Sequence, residues 1–288
     1  MLKNRQTLAF AVMAASLALV FGPILVRLAA DWKNDDNYSH GFLIIPLALY
    51  VAWDRRERLK QTAVRPAAFG LLVILGSLAM LVAGRLGAEM FLTRVALVGT
   101  VAGLVVYMWG WARLRVLMFP IALLLLMIPI PAIVFNQIAF PLQLLASRFG
   151  EATLNAASIP VLREGNVIVL ANTTLEVAEA CSGIRSLISL LTLGIVLGYF
   201  TERRSSIRTI LALSTIPVAI VANGMRVAAT GIAAHYFGSA AAEGTFHTFS
   251  GWLVFVVSFA FLLGIQRGLA RLWPTPVVGS PVPAADAA

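Results

Sequence analysis

The sequence predicts an all-α polytopic membrane protein, a bundle of about eight transmembrane helices with both termini cytoplasmic and a small extracytoplasmic segment holding a short β-hairpin. Three observations predict it. Of the 288 residues, 60% are hydrophobic and 12% charged, with a mean hydropathy of +0.88; soluble domains are about 45–50% apolar and about 25% charged. The apolar residues fall into runs near the length that crosses a hydrocarbon core, about 20 residues. The charges between those runs alternate in sign along the chain, as orientation signals do.

The runs are 8–29, 42–53, 67–84, 91–111, 116–135, 184–200, 207–236 and 249–266. The first is read as a retained span, because no Ala-x-Ala-like site closes it as a signal peptide and further spans follow. The second is short. Ile128-Pro129-Ile130-Pro131 ends the fifth. The seventh is long, and Pro217 within it is expected to kink it. Residues 1–273 are read as one transmembrane domain. Residues 274–288, rich in Pro and Ala, are read as a disordered cytoplasmic tail.

Alternate connections hold Lys3 and Arg5; Arg55, Arg56, Arg58, Lys60 and Arg65; Arg113 and Arg115; Arg203, Arg204 and Arg208; and Arg267 and Arg271, which is 14 of the 22 basic residues against 4 of the 13 acidic ones. The positive-inside rule makes that side cytoplasmic. The net charge of +9 therefore signals orientation, and nucleic acid is excluded as a partner. One cysteine excludes an intramolecular disulfide and argues against a Cys-based zinc site, so no metal or cofactor is expected.

The longest outer connection runs from about Asn136 to Gly183. Residues 137–157 have the mixed polarity of an amphipathic surface helix. Residues 166–170 and 173–177, flanking Ala171-Asn172, are β-rich and read as the hairpin.

Three segments carry candidate chemistry. In Glu179-Ala180-Cys181-Ser182-Gly183-Ile184-Arg185, the cysteine stands where the outer connection enters the sixth span. The first turn of a helix offers free N–H groups and a positive dipole end, which favour a thiolate and an oxyanion. Gly183 would allow a substrate backbone to approach closely. In Asn223-Gly224-Met225-Arg226, Asn223 and Arg226 share a face of the seventh span. An arginine within a span costs about 2.5–3.5 kcal/mol on insertion scales, so it should face the interior or a watery cavity. In Thr245-Phe246-His247-Thr248-Phe249, the histidine precedes the eighth span and can exchange protons at ambient pH. His40, in Tyr38-Ser39-His40-Gly41, and His235 compete with it for that role. Each residue has a plainer reading: an inert cysteine, a structural arginine paired with a carboxylate such as Glu176 or Glu179, an interfacial histidine. Together, a thiol, an imidazole and a guanidinium on one side suffice for covalent acyl transfer. Arg226 lies about ten residues, or roughly 15 Å, below the outer end of its helix. It meets Cys181 only if that helix protrudes or the cysteine segment dips inward.

With these motifs the chain resembles the exosortase/archaeosortase family of polytopic membrane transpeptidases. The resemblance rests on residues 179–185, on Asn223-Gly224-Met225-Arg226-Val227, on His247 with Gly251, and on Tyr38-Ser39-His40-Gly41. It extends from about Asp31 to Gly268. It implies a membrane cysteine protease or transpeptidase of the bacterial inner membrane, facing the periplasm. The substrates it implies are exported proteins with a C-terminal sorting tail: a Pro-Glu-Pro motif, a hydrophobic helix and a basic end. It further implies Cys181 as nucleophile, Arg226 as charge-stabilising residue and His247 as acid/base. Glu179, Ser182, Gly183, Arg185, Asn223 and His40 are the candidates for substrate binding. The competing functions are a transporter or flippase using Arg226 for an anionic substrate, and a non-catalytic subunit of exopolysaccharide export.

Overall fold

A computed structural model describes residues 2–171, 173–177, 183–238 and 244–273, with side chains described from residue 11 onward and, in the last helix, from residue 249. The chain divides into two compact units, Met1–Phe135 and Asn136–Ala288.

The first unit holds α1 (Leu2–Asn34), α2 (Gly41–Asp54), α3 (Arg56–Gln61), α4 (Phe69–Leu86), α5 (Met90–Trp109) and α6 (Trp111–Leu123), followed by a 3-10 turn at Leu124–Met127. α4 and α5 pack closely because small residues line the seam. A side chain on Gly70 would strike the Tyr107 backbone, one on Gly103 would strike Ile74, and one on Gly99 would strike Ser77. This is how helices associate in lipid, where apolar burial gives no driving force and close van der Waals contact must supply it.

The expected fifth span is interrupted. Helix ends with the 3-10 turn at Met127, and residues 132–135 open the next helix, α7 (Ala132–Ala156). Pro129 and Pro131 explain the break: each lacks an N–H, and each disfavours helix at the residue before it. The backbone groups around the break find partners in the last turns of α1 and in the segment between α1 and α2. Trp32 Nε1 donates to the Met127 carbonyl at 2.8 Å, and the Ile130 N–H donates to the Tyr38 hydroxyl at 3.3 Å. His40 Nε2 lies 3.2 Å from the Leu126 carbonyl. Such pairing is required of backbone groups shielded from water.

The second unit contains three antiparallel strands, β1 (Val161–Glu164), β2 (Val167–Leu170) and β3 (Thr174–Glu176), and the helices α8 (Ile184–Thr201), α9 (Ser205–Phe237) and α10 (Gly244–Leu272). The expected hairpin is β2 with β3, in the register Val167↔Glu176 to Val169↔Thr174. β1, which the sequence reading missed, pairs with β2 from Val161↔Leu170 to Glu164↔Val167. Its turn is the two-residue Gly165-Asn166, with Gly165 at φ +66°, a tight hairpin connection. The amphipathic segment is helical, as α7. The buried face of the sheet, Ile168 and Leu170, joins Ala146 and Leu154 of α7 and Val227 and Ala234 of α9 in one apolar cluster. A second cluster, Leu190, Leu211, Ala219 and Leu262, ties α8, α9 and α10 together. Pro217 lies inside α9, which stays helical through it.

Among the described residues, six helices are long and apolar enough to cross a membrane. A seventh is counted if Trp111–Met127 and Ala132–Ala156 form one broken span. The remaining expected span, the second, is α2, whose 14 residues reach about 21 Å at 1.5 Å each, short of the roughly 30 Å hydrocarbon thickness. The fold is nonetheless the polytopic helical bundle that composition predicted.

Candidate functional site

The three sequence motifs of the second unit are drawn together by contacts on α9. Asn223 is buried at 3% exposure, one helical turn from the half-buried Arg226. Gly183 closes the cysteine motif and caps α8, in the left-handed conformation at φ +79°. A Cβ on Gly183 would fall 2.7 Å from Asn223 Cγ and 2.8 Å from its Cβ. The close approach that demands a glycine here is thus made by the Asn223 side chain. Gly183 therefore sits level with a residue 14 positions before the end of α9, and α9 extends past the start of α8.

Arg226 connects the second motif to the third. Its Nε donates to Ser250 Oγ at 3.3 Å. Its guanidinium also packs on Gly251, where a Cβ would lie 3.2 Å from Nη2 and 3.4 Å from Cζ. His247 belongs to the first turn of α10, three positions before Ser250; its side chain is outside the described residues. Cys181, Glu179 and Ser182 also lie outside them. Cys181 is two residues from Gly183, a reach of about 7 Å at most. Arg185 is in the first turn of α8 and partly buried.

Gly224 allows a further contact that sequence reasoning missed. The Phe149 ring of α7 lies where its side chain would be, 2.6 Å from an added Cβ. Ser250 was also missed; its only sequence signal is its spacing of one helical turn from His247.

Between α9 and α10 runs a cavity of about 560 Å³, lined by Val221, Met225, Phe249, Leu253 and Val257 among others, with Arg226 and Ser250 in its wall. Many of its lining side chains are exposed on the helix surfaces, Met225 at 60% and Phe249 at 56%. It is an apolar groove with a guanidinium set into it.

The other histidines have different surroundings. His40 belongs to the first unit. It precedes α2, where its ring meets the Leu126 carbonyl and lies near the Tyr38 ring. Burial lowers its pKa, against the raising effect of backbone hydrogen bonds at Leu126 and Asn37. His235 is in the last turn of α9, edge-on to Tyr236 at 4.9 Å between ring centres.

The bundle and its motif cluster define the class: a multi-pass membrane protein that brings a cysteine-bearing motif, an asparagine–arginine helix and a histidine-bearing helix together in one unit. The model of the transmembrane exosortase family (Exosortase_EpsH) matches residues 32–264, most of the chain, and the protein belongs to that family. No curated protein and no solved structure matches the chain.

Proposed function

We propose that this exosortase is a cysteine protease or transpeptidase that cleaves the C-terminal sorting tails of exported proteins at the outer face of the bacterial inner membrane. In this reading Cys181 is the nucleophile, Arg226 stabilises charge and His247 moves protons. Glu179, Ser182, Gly183, Arg185 and Asn223 shape the substrate site. The observation that carries it is the convergence on α9: Gly183 rests on Asn223, while Ser250 and Gly251 rest on Arg226.

The chemistry is covalent acyl transfer. The Cys181 thiolate adds to the carbonyl carbon of the scissile peptide bond, and the carbonyl oxygen becomes an oxyanion. The Arg226 guanidinium and the free N–H groups opening α8 are suited to hold that charge. The intermediate collapses to a thioester as the C–N bond breaks. The leaving amine takes a proton from the His247 imidazolium. The neutral imidazole then removes a proton from the incoming water or amine, which attacks the thioester and regenerates the thiolate. The apolar groove between α9 and α10 suits the hydrophobic helix of the tail, leaving the segment before it near Arg226.

The test replaces Cys181 by Ala in cells that carry a tailed substrate, with mass spectrometry of the substrate's mature C-terminus. The tail should remain attached. A normally processed C-terminus in that strain rules out the cysteine mechanism. Transport through Arg226 would instead survive Cys181→Ala and fail on Arg226→Ala.

A further inference from the structure

Eight of the 22 basic residues lie outside the clusters that orient the protein, and three of the eight line one cavity in the first unit. The cavity has a volume of about 500 Å³ and is bounded by α1, the end of α4 and the start of α5, with Arg27, Arg85 and Arg94 in its wall. It is at the end of α4 opposite the Arg55–Arg65 cluster, the end that the charge pattern assigns to the outer leaflet. Arg27 is seven residues before the end of α1, about 10 Å along the axis, and Arg85 is one residue from the end of α4. Both stand near the depth of lipid headgroups, where a long basic side chain reaches the interface.

The three guanidiniums are held differently. Arg94 is 4% exposed and pairs with Asp31, which balances its charge and fixes its guanidinium at the back of the cavity. Arg85 Nη2 donates to the Val20 carbonyl at 3.0 Å, which keeps its head against α1. Arg27 is exposed and joins no ion pair among the described residues. The one carboxylate in the wall, Glu89, is turned to the α5 N-terminus, where it accepts from the Phe91 N–H at 3.1 Å; its single negative charge is outnumbered by Arg27 and Arg85, neither of which joins an ion pair among the described residues. The cavity therefore presents guanidinium donors to a ligand that enters from the membrane surface.

We propose that this cavity binds the phosphate of an anionic phospholipid headgroup, with Arg27 and Arg85 as its direct donors and the Arg94–Asp31 pair as the rigid wall behind them. Guanidinium groups match phosphate oxygens two at a time, which favours phosphate over a single-point anion. Pro23 and Ile24 of α1 form the apolar part of the wall, where the glycerol and upper acyl chain would rest.

The experiment uses the full-length protein in nanodiscs of phosphatidylcholine, alone or mixed with phosphatidylglycerol, and reads the thermal midpoint. The anionic lipid should raise it by about 3 °C, as a site held near ten times its Kd would. Arg27→Gln/Arg85→Gln should lose most of that rise. Arg27→Gln alone, at an exposed position without an ion pair, should lose about half and guards against a folding defect in the double variant. Arg203→Gln, in a cytoplasmic cluster, should keep the full rise. Three results overturn the proposal: no rise in the wild type, an undiminished rise in both Arg27 variants, or an equal loss in Arg203→Gln. Inorganic phosphate added to phosphatidylcholine nanodiscs should have no effect. If it reproduces the rise, the ligand is a soluble phosphate and the lipid assignment is wrong.

Discussion

Replacing Gly183 by Ala perturbs the junction between the cysteine motif and α9 at one atom. Two costs follow from the structure. Gly183 adopts φ +79°, a region that costs other residues about 1–2 kcal/mol. The new Cβ would also fall 2.7, 2.8 and 2.9 Å from Asn223 Cγ, Cβ and Nδ2, where unstrained contacts between carbons are about 3.5–4.0 Å. Asn223 is 3% exposed and has no room to swing aside, so the clash adds about 1–3 kcal/mol of overpacking. The expected total is about 2–5 kcal/mol. Cys181, the single cysteine, reports on the same place through its rate of alkylation, which should change in Gly183→Ala. Chemical unfolding in mild detergent gives the stability. Gly183→Ala/Asn223→Gly removes the clashing atoms and should recover the steric share, less about 1 kcal/mol for a glycine within a helix. A Gly183→Ala protein within about 0.5 kcal/mol of wild type, which is ordinary for a surface change, refutes the contact. So does the absence of any coupling between the two positions.

Two further outcomes are expected. Ser250→Ala, which removes the hydroxyl that accepts from Arg226 Nε, should slow tail processing about tenfold, the scale of one hydrogen bond to a charged group. Ser250→Thr should restore most of it, and equal rates in all three proteins would remove Ser250 as a positioning residue. His40 is buried with its pKa lowered, so the unfolded chain binds its proton more readily than the folded one. Its contribution to stability is full above the unfolded value of about 6.5 and is lost as pH falls through the lowered folded value. His40→Gln should flatten the acid side of the stability profile, and an unchanged profile would contradict that linkage.

Much of the fold was legible because the period and length of apolar runs respond directly to the bilayer. The spans expected at 184–200 and 207–236 appear as α8 and α9 with ends within two residues. The fifth was harder. Its apolar run continues to residue 135, and only Pro129 and Pro131 mark the break, so hydropathy and backbone chemistry disagreed and the prolines prevailed. β1 escaped because Val161-Leu162-Arg163-Glu164 is short and does not alternate apolar with polar residues; its strand character comes from pairing with β2 across Gly165-Asn166. Within the site, the spacing of Asn223 and Arg226 was readable as a shared helix face. The partners of that face were not. Gly183 against Asn223, Phe149 against Gly224, and Ser250 against Arg226 are contacts between elements far apart in sequence, and nothing local encodes them.

These contacts also separate two roles within the motifs. Gly183, Gly224 and Gly251 each seat a side chain from another element: Asn223, Phe149 and Arg226. Small residues at such seams are what helix packing in lipid requires, so packing alone explains three glycines and the buried Asn223. It does not explain an arginine at 226. That position borders an apolar groove whose other walls are Met225, Phe249 and Leu253, and an aliphatic residue there would suit lipid without the cost of a charge in the membrane. Under the proposed function, a guanidinium between the end of the cysteine motif and the start of the histidine helix would offset that cost by holding the negative charge that develops on the substrate.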